Sequence, residues 1–250
     1  MMKAMTITAV CVVSLTAGAA TAATFSGNTS GYFSDKQNAD PDVIYYTYYN
    51  GGQSHGDYSG IAWGYDDPHD HDFSDTSQLG VNNTHFSCDL TYGMQSCDVA
   101  KVDWYNASSN AWTNDEDFNV NLNLAFNLDS PVYLSNILDS LQLNILSTRN
   151  DLSPNSDLIV SGGWDQFHLE GFDLGSGYTL HGFSLREEGA GTLRNISGRD
   201  FEWVNEEDSY SHLYIVADIK GPSPVPLPAA GWMLIAGFGG LVAMKRRRKA

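Results

Sequence analysis

The chain has 250 residues with 13 Lys and Arg against 30 Asp and Glu, a formal charge of −17. Lys3 and the five cations from Lys245 to Lys249 are six of the 13, so residues 23 to 228 hold seven basic against 30 acidic side chains, formally −23, a balance that excludes a nucleic-acid-binding surface. At 12% aromatic and 17% charged residues the chain is too apolar for a disordered acidic polymer, and its length suits one β-rich domain.

The first segment is a secretory signal over residues 1–22. Lys3 supplies a positive start, Ile7 to Leu15 an apolar stretch, and Ala20 and Ala22 the small residues of an A-x-A cleavage site. Export follows. Cys11 lies inside the apolar stretch and leaves with the peptide.

Beyond residue 22 the hydrophobic pattern has period two, which marks strands with one dry and one wet face. Val43 to Tyr49 forms a strand rich in tyrosine, and Val99 to Tyr105 is a second run. The clearest alternation is Val120, Leu122, Leu124, Phe126 and Leu128, set between Asn119, Asn121, Asn123 and Asn127. A single helical turn is expected near Ser135 to Ser140. Further strands are expected at Leu141–Leu146, Gln166–Phe172, Tyr178–Leu185 and Leu213–Ile219, with Gly-, Asn- and Ser-rich turns such as Ser161-Gly162-Gly163 between them. The sum is an all-β fold, a jelly-roll-like antiparallel β-sandwich over residues 23–220 with about eight to twelve strands.

Cys88 and Cys97 are the cysteines left after processing, and in an exported protein such a pair forms a disulfide across a hairpin-sized loop. The spacing matches no zinc knuckle. The densest polar cluster is Asp66, Asp67, His69, Asp70, His71 and Asp72, with Asp75 close behind. Closely spaced carboxylates suit calcium, which takes six to eight oxygen ligands. A strand placing His69 and His71 on one side suits a transition metal instead, and a solvated acidic loop is the third reading. Asp115, Glu116 and Asp117 form a smaller acidic group. No cofactor is required by any motif.

Catalysis has little to stand on. Asp165, Glu170, Asp173 and Glu202 lie among Trp164, Phe167, Phe172 and Trp203, a mixture a glycan-cleaving enzyme would need. Glu170 and Asp173 are three apart, so a regular strand points them to opposite sides, and His168 is placed toward solvent. No nucleophile elbow, zinc-protease helix or dinucleotide fingerprint occurs. The aromatics, among them Tyr45, Tyr46, Tyr48, Trp63, Trp104 and Trp112, either pack the core or form a carbohydrate-stacking face. Exposure of the rings decides between these.

The C-terminus carries the sharpest pattern. Gly221 to Pro228 is a Pro-rich linker holding the motif Val225-Pro226-Leu227-Pro228-Ala229; residues 229–250 then form an apolar helix closed by Lys245, Arg246, Arg247, Arg248 and Lys249. The prolines keep the motif extended, and the cations stay on the cytoplasmic side. From Ala229 to Met244 a helix spans roughly 24 Å against a hydrocarbon core of about 30 Å, which suits a transient anchor better than a permanent one. An uncut membrane anchor is the alternative. Residues 225–250 resemble the VPLPA variant of the PEP-CTERM sorting signals of exported bacterial proteins. That resemblance implies an exosortase-like processing enzyme as a partner, residence in the membrane before processing, and display at the cell surface or in extracellular polysaccharide. Phe25-Ser26-Gly27, Gly60 to Gly64, Asp117 to Phe126 and Tyr214 to Ile219 resemble the choice-of-anchor surface domains of the K type, which implies a displayed module without catalysis. The expected role is structural or adhesive, with a secreted glycan-binding or glycan-cleaving protein as the alternative.

Overall fold

The computed structural model describes residues 23–39, 43–48, 58–64, 76–108, 117–146, 156–162, 164, 166–197 and 200–223. The chain passes back and forth between two sheets. β1 (Ala23–Gln37) starts the first sheet; β2 (Ile44–Tyr48), β3 (Tyr58–Trp63) and β4 (Ser77–Asn82) build the second. β5 (Thr84–Leu90) returns to the first and β6 (Met94–Asn106) to the second. β7 (Phe118–Ser130), β8 (Leu134–Leu146) and β9 (Ser156–Gly162) continue the first, and β10 (Phe172–Gly175) and β11 (Tyr178–Gly189) the second. β12 (Thr192–Ser197) and β13 (Asp200–Glu206) close the first sheet, and β14 (Ser209–Lys220) crosses back.

Among the described residues each sheet has seven strands, ordered β12-β13-β9-β8-β7-β1-β5 and β10-β11-β14-β6-β4-β3-β2, and the pairings are antiparallel throughout. The all-β sandwich read from the sequence is therefore what the chain forms.

The alternating side chains of β7 explain the layering. Val120, Leu122, Leu124, Phe126 and Leu128 are buried between the sheets while the intervening asparagines face outward, because a strand sends successive side chains to opposite faces. Rings fill one part of the core in a continuous stack. Phe25 meets Phe86 at 5.4 Å between centroids, Phe86 meets Phe126 at 5.5 Å, and Phe126 meets both Phe167 at 5.4 Å and Phe183 at 5.8 Å. Trp104 and Trp203 cross edge to face at 5.1 Å elsewhere in the same core. Gly31 admits the opposing sheet, since a Cβ there would lie 2.7 Å from a methyl of Val81.

Several local expectations are corrected. The helical turn at Ser135–Ser140 is part of β8: Ile137 pairs with Phe126 and Leu138 with Ala125. Leu134 and Ile137, three apart, both pack against the core, which suggests a helical period. A register shift opposite Phe126/Leu128, with Asn136 at φ 58°, produces that spacing instead. Gln166–Phe172 is also not one strand. Gln166 to His168 make a short 3-10 turn with positive φ at all three residues, and β10 begins only at Phe172. Side chains support this turn: Phe167 N–H donates to Asp139 Oδ2 at 2.8 Å, and Gln166 Oε1 accepts from Phe183 N–H at 3.1 Å. Phe167 and Leu169 stay buried and His168 exposed, so the alternation survives without a strand behind it.

The disulfide Cys88–Cys97 is formed, with Cα atoms 6.1 Å apart. It does not close a hairpin. Cys88 lies on β5 and Cys97 on β6, so it joins the two sheets. This corner defines one pole of the sandwich. Ala23 pairs with Leu90, and Lys220 pairs with both Met94 and Thr179, which brings the two ends of the described body to the same pole. The opposite pole holds the start of β7, the β13–β14 turn and the Trp63–Ser77 pairing.

Candidate functional site

The outer face of the first sheet is the most distinctive surface among the described residues. Asn119, Asn121, Asn123, Ala125 and Asn127 of β7 lie between outward residues of β1 and β8, with Tyr32 opposite Asn123 and Ser34 opposite Asn121. Their side chains are tied to one another. Asn123 Nδ2 donates to Ser34 Oγ at 2.9 Å, and its Oδ1 accepts from Ser140 Oγ at 3.1 Å. Asn127 Nδ2 donates to Asn28 Oδ1 at 3.0 Å, while Asn127 Oδ1 accepts from Asn136 N–H at 2.7 Å. At the end nearer the far pole, Asn121 Nδ2 donates to Asp35 Oδ2 at 3.2 Å.

Asp35 is the one acid bonded into this array; the outward positions of β7 from Asn119 to Asn127 and those of β8 from Leu138 to Asn144 carry no acid or base. An amide has two donors and an acceptor with two lone pairs, so each asparagine keeps hydrogen-bonding capacity toward solvent after bonding its neighbours. Tyr32 stands out of the array at 59% exposure. The arrangement is a pre-ordered sheet of amides and hydroxyls beside one exposed ring.

The outer face of the second sheet differs in chemistry. Arg186 lies over the Tyr214 ring at 4.2 Å and pairs with Asp98 at 2.7 Å and Glu188 at 3.1 Å. The bonds to Glu188 first, and then to Asp98, raise its pKa. Lys101 pairs with Asp103 at 2.7 Å, and Asp103 also takes His212 Nδ1 at 2.6 Å and Asn82 Nδ2 at 2.6 Å. These cations are committed to local partners.

No protein-family model, curated protein or solved structure matches this chain.

Of the rings proposed as a stacking face, those whose side chains are described are mostly core. Trp63, Trp104, Trp164 and Trp203 are buried; Tyr45 is exposed and lies under Lys36 Nζ at 5.8 Å from the ring centroid. Tyr49 and Trp112 lie outside the described residues, as do Asp165, Asp115 and Glu116. The other carboxylates considered for glycan chemistry are divided between the two sheets. Glu170 and Asp173 flank the start of β10 in the second sheet, where Asp173 Oδ1 accepts from Gly175 N–H at 2.8 Å, and Glu202 is on β13 in the first sheet.

An open cleft of about 600 Å³ at the far pole is lined by Ser156, Thr192, Arg194, Glu206, Glu207 and Asp208. Sequence reading passed over it because β9, β12 and β13 meet there only after folding. Burial, and then the neighbouring Asp208 charge, raise the Glu207 pKa; Asp208 is lowered by the hydroxyl and backbone N–H of Ser108, at 2.6 and 3.0 Å.

The calcium candidates Asp66, Asp67, Asp70, Asp72 and Asp75 lie outside the described residues, and among the described residues no group of three or more His, Cys, Asp or Glu is placed to hold a metal. Asp117 precedes β7 and is exposed. Residues 1–22 and 224–250, with the signal cleavage residues, the sorting motif and the basic cluster, also lie outside. Among the described residues no helix is long and apolar enough to cross a membrane.

Proposed function

We propose that this is an exported, jelly-roll-like surface module with a structural or adhesive role, sorted through the C-terminal motif at Val225–Ala229 by an exosortase-like enzyme and displayed in the envelope or its polysaccharide. The observation that carries the adhesive part is the amide array around Asn123. In a body formally at −23, an extended face almost free of charge matches neutral sugar hydroxyls, which ask for paired donors and acceptors and for a ring to stack on. Because the side chains already hold one another, little rotamer entropy is lost on binding. Export is supported by the Cys88–Cys97 bond, which belongs to an oxidising compartment. Calcium bound by the Asp66–Asp75 segment would stabilise the body by offsetting its negative charge.

Affinity electrophoresis through gels containing a soluble, uncharged polysaccharide tests the face. Retardation of the full chain that is lost in Tyr32→Ala and Asn123→Ala supports the reading; equal mobility with and without glycan removes it.

A second reading, a glycan-cleaving protein, is favoured by the far-pole cleft, where a carboxyl with a raised pKa sits beside one with a lowered pKa, the division of labour an acid–base pair uses. Asp208 is already bonded to Ser108, so the adhesive reading stands first. Release of reducing ends by the protein, abolished by Glu207→Gln, would reverse that order.

A further inference from the structure

The two ends of the body leave from one pole, and that pole carries exposed apolar side chains. At the C-terminal exit, Gly221 N–H donates to Gly93 O at 2.6 Å. A Cβ on Gly221 would lie 2.4 Å from Thr91 O and 3.2 Å from the Tyr178 ring, so the exit has no room to shift. The turn beside it is braced by Gln95, whose Oε1 accepts from Thr91 N–H at 2.9 Å and whose Nε2 donates to Thr91 O at 2.6 Å. On this braced turn stand Tyr92, 51% exposed, and Met94, 57% exposed. The β7–β8 turn reaches the same pole through the Ser26–Ser130 pairing and presents Tyr133, the most exposed large apolar residue among those described, at 74%. Exposed charges nearby include Asp89, Asp129, Asp173 and Lys220.

Seven residues, Pro222 to Pro228, separate Gly221 from the apolar segment that begins at Ala229. Even fully extended, that length spans no more than about 28 Å, so a membrane holding the apolar segment must lie close to this pole. Tyrosine and methionine suit the headgroup region, where a ring or thioether is sheltered and a hydroxyl stays wet.

We propose that this pole is the membrane-facing surface of the unprocessed protein, with Tyr92, Met94 and Tyr133 resting in the headgroup layer of the bilayer that takes its own C-terminal segment. The inference rests on the reading of residues 229–250 as a membrane segment. Asp89 and Asp129 favour a zwitterionic over an anionic surface. Seating the pole this way turns the amide face sideways and the far pole outward, away from the membrane.

The test is hydroxyl-radical footprinting of the full chain reconstituted in phosphatidylcholine vesicles, with flotation checked in the same preparation. The expected result is a severalfold slower modification of Tyr92, Met94 and Tyr133 than of Tyr32 and Tyr210, exposed elsewhere, and less slowing when phosphatidylglycerol is added. A chain that floats but is modified at the reference rate at all three positions overturns this inference and leaves the anchor intact. Failure to float removes the anchor and the inference together. Protection that grows with protein density at fixed lipid indicates a second copy on the pole and overturns it as well. The Tyr92→Ser/Met94→Ser/Tyr133→Ser variant changes only surface residues; it should keep its melting temperature and lose the added hydrogen-exchange protection that vesicles give the amides of residues 92 and 93, and retention of that added protection would count against the proposal.

Discussion

Trp203 shows how a polar atom is accommodated inside this core. Its Nε1–H donates to Ser211 Oγ at 2.8 Å, and Ser211 Oγ in turn donates to Glu187 Oε1 at 3.0 Å. Gly191 leaves the room for this, because a Cβ there would lie 2.1 Å from Ser211 Oγ. Ser211→Ala strands the indole N–H in a buried site and is expected to cost about 1–3 kcal/mol in chemical denaturation. Glu207 supplies a pH dependence. Its raised pKa means that the native state holds its proton more tightly than the unfolded chain does, so stability rises as pH falls from neutrality through that pKa. Glu207→Gln should therefore be slightly more stable than the parent near pH 7, by a small margin because the group is partly solvated. The margin should vanish below the ordinary carboxylate range. Asp208 works in the opposite sense: its lowered pKa gives stability above the ordinary aspartate range that is lost as acid protonates it. Ser108→Ala should move the Asp208 carboxyl titration, followed by NMR, upward.

Strands were legible where one face is dry and the other wet over many residues. β7 alternates without a break from Phe118 to Leu128 and was placed from its pattern; the real strand extends two residues further, to Ser130. β8 was half missed because its register shift changes which side chains face inward, and the resulting spacing mimics a helix. Gln166–His168 misled in the reverse direction, since a tight turn also alternates buried and exposed side chains. The cysteine pair was legible as a disulfide, but the elements it joins were not, because β5 and β6 follow each other closely and still enter different sheets. Replacing both cysteines by serine removes the link between sheets as well as a short covalent loop; a loss of about 2–3 kcal/mol is expected from loop entropy, measured as a shift in denaturation midpoint. The variant should also exchange amides faster in β5, an edge strand, than in β7.

Charge acts over the whole body. With seven basic against 30 acidic side chains between residues 23 and 228, self-repulsion opposes compaction, and counter-ions relieve it. Melting temperature should rise with sodium chloride for that reason alone. Calcium should raise it further, at matched ionic strength, if the Asp66–Asp75 segment binds the ion, because a ligand held only by the native state stabilises by mass action. The additional rise should disappear in Asp70→Asn/Asp72→Asn. Differential scanning calorimetry after chelation separates the two effects, and a calcium curve that coincides with the matched-salt curve returns the segment to plain solvated charge.

The amino-acid order alone carried the class of fold, the dry faces of the long strands and the cysteine pairing, since each depends on local periodicity or on a short separation along the chain. The amide array, the far-pole cleft and the shared exit of both chain ends depend on which strands become neighbours. Asn123 meets Ser34 across 89 positions of sequence, and Ser108 meets Asp208 across 100. Such pairings follow from burying two sheets against each other, a long-range choice that no stretch of residues encodes separately.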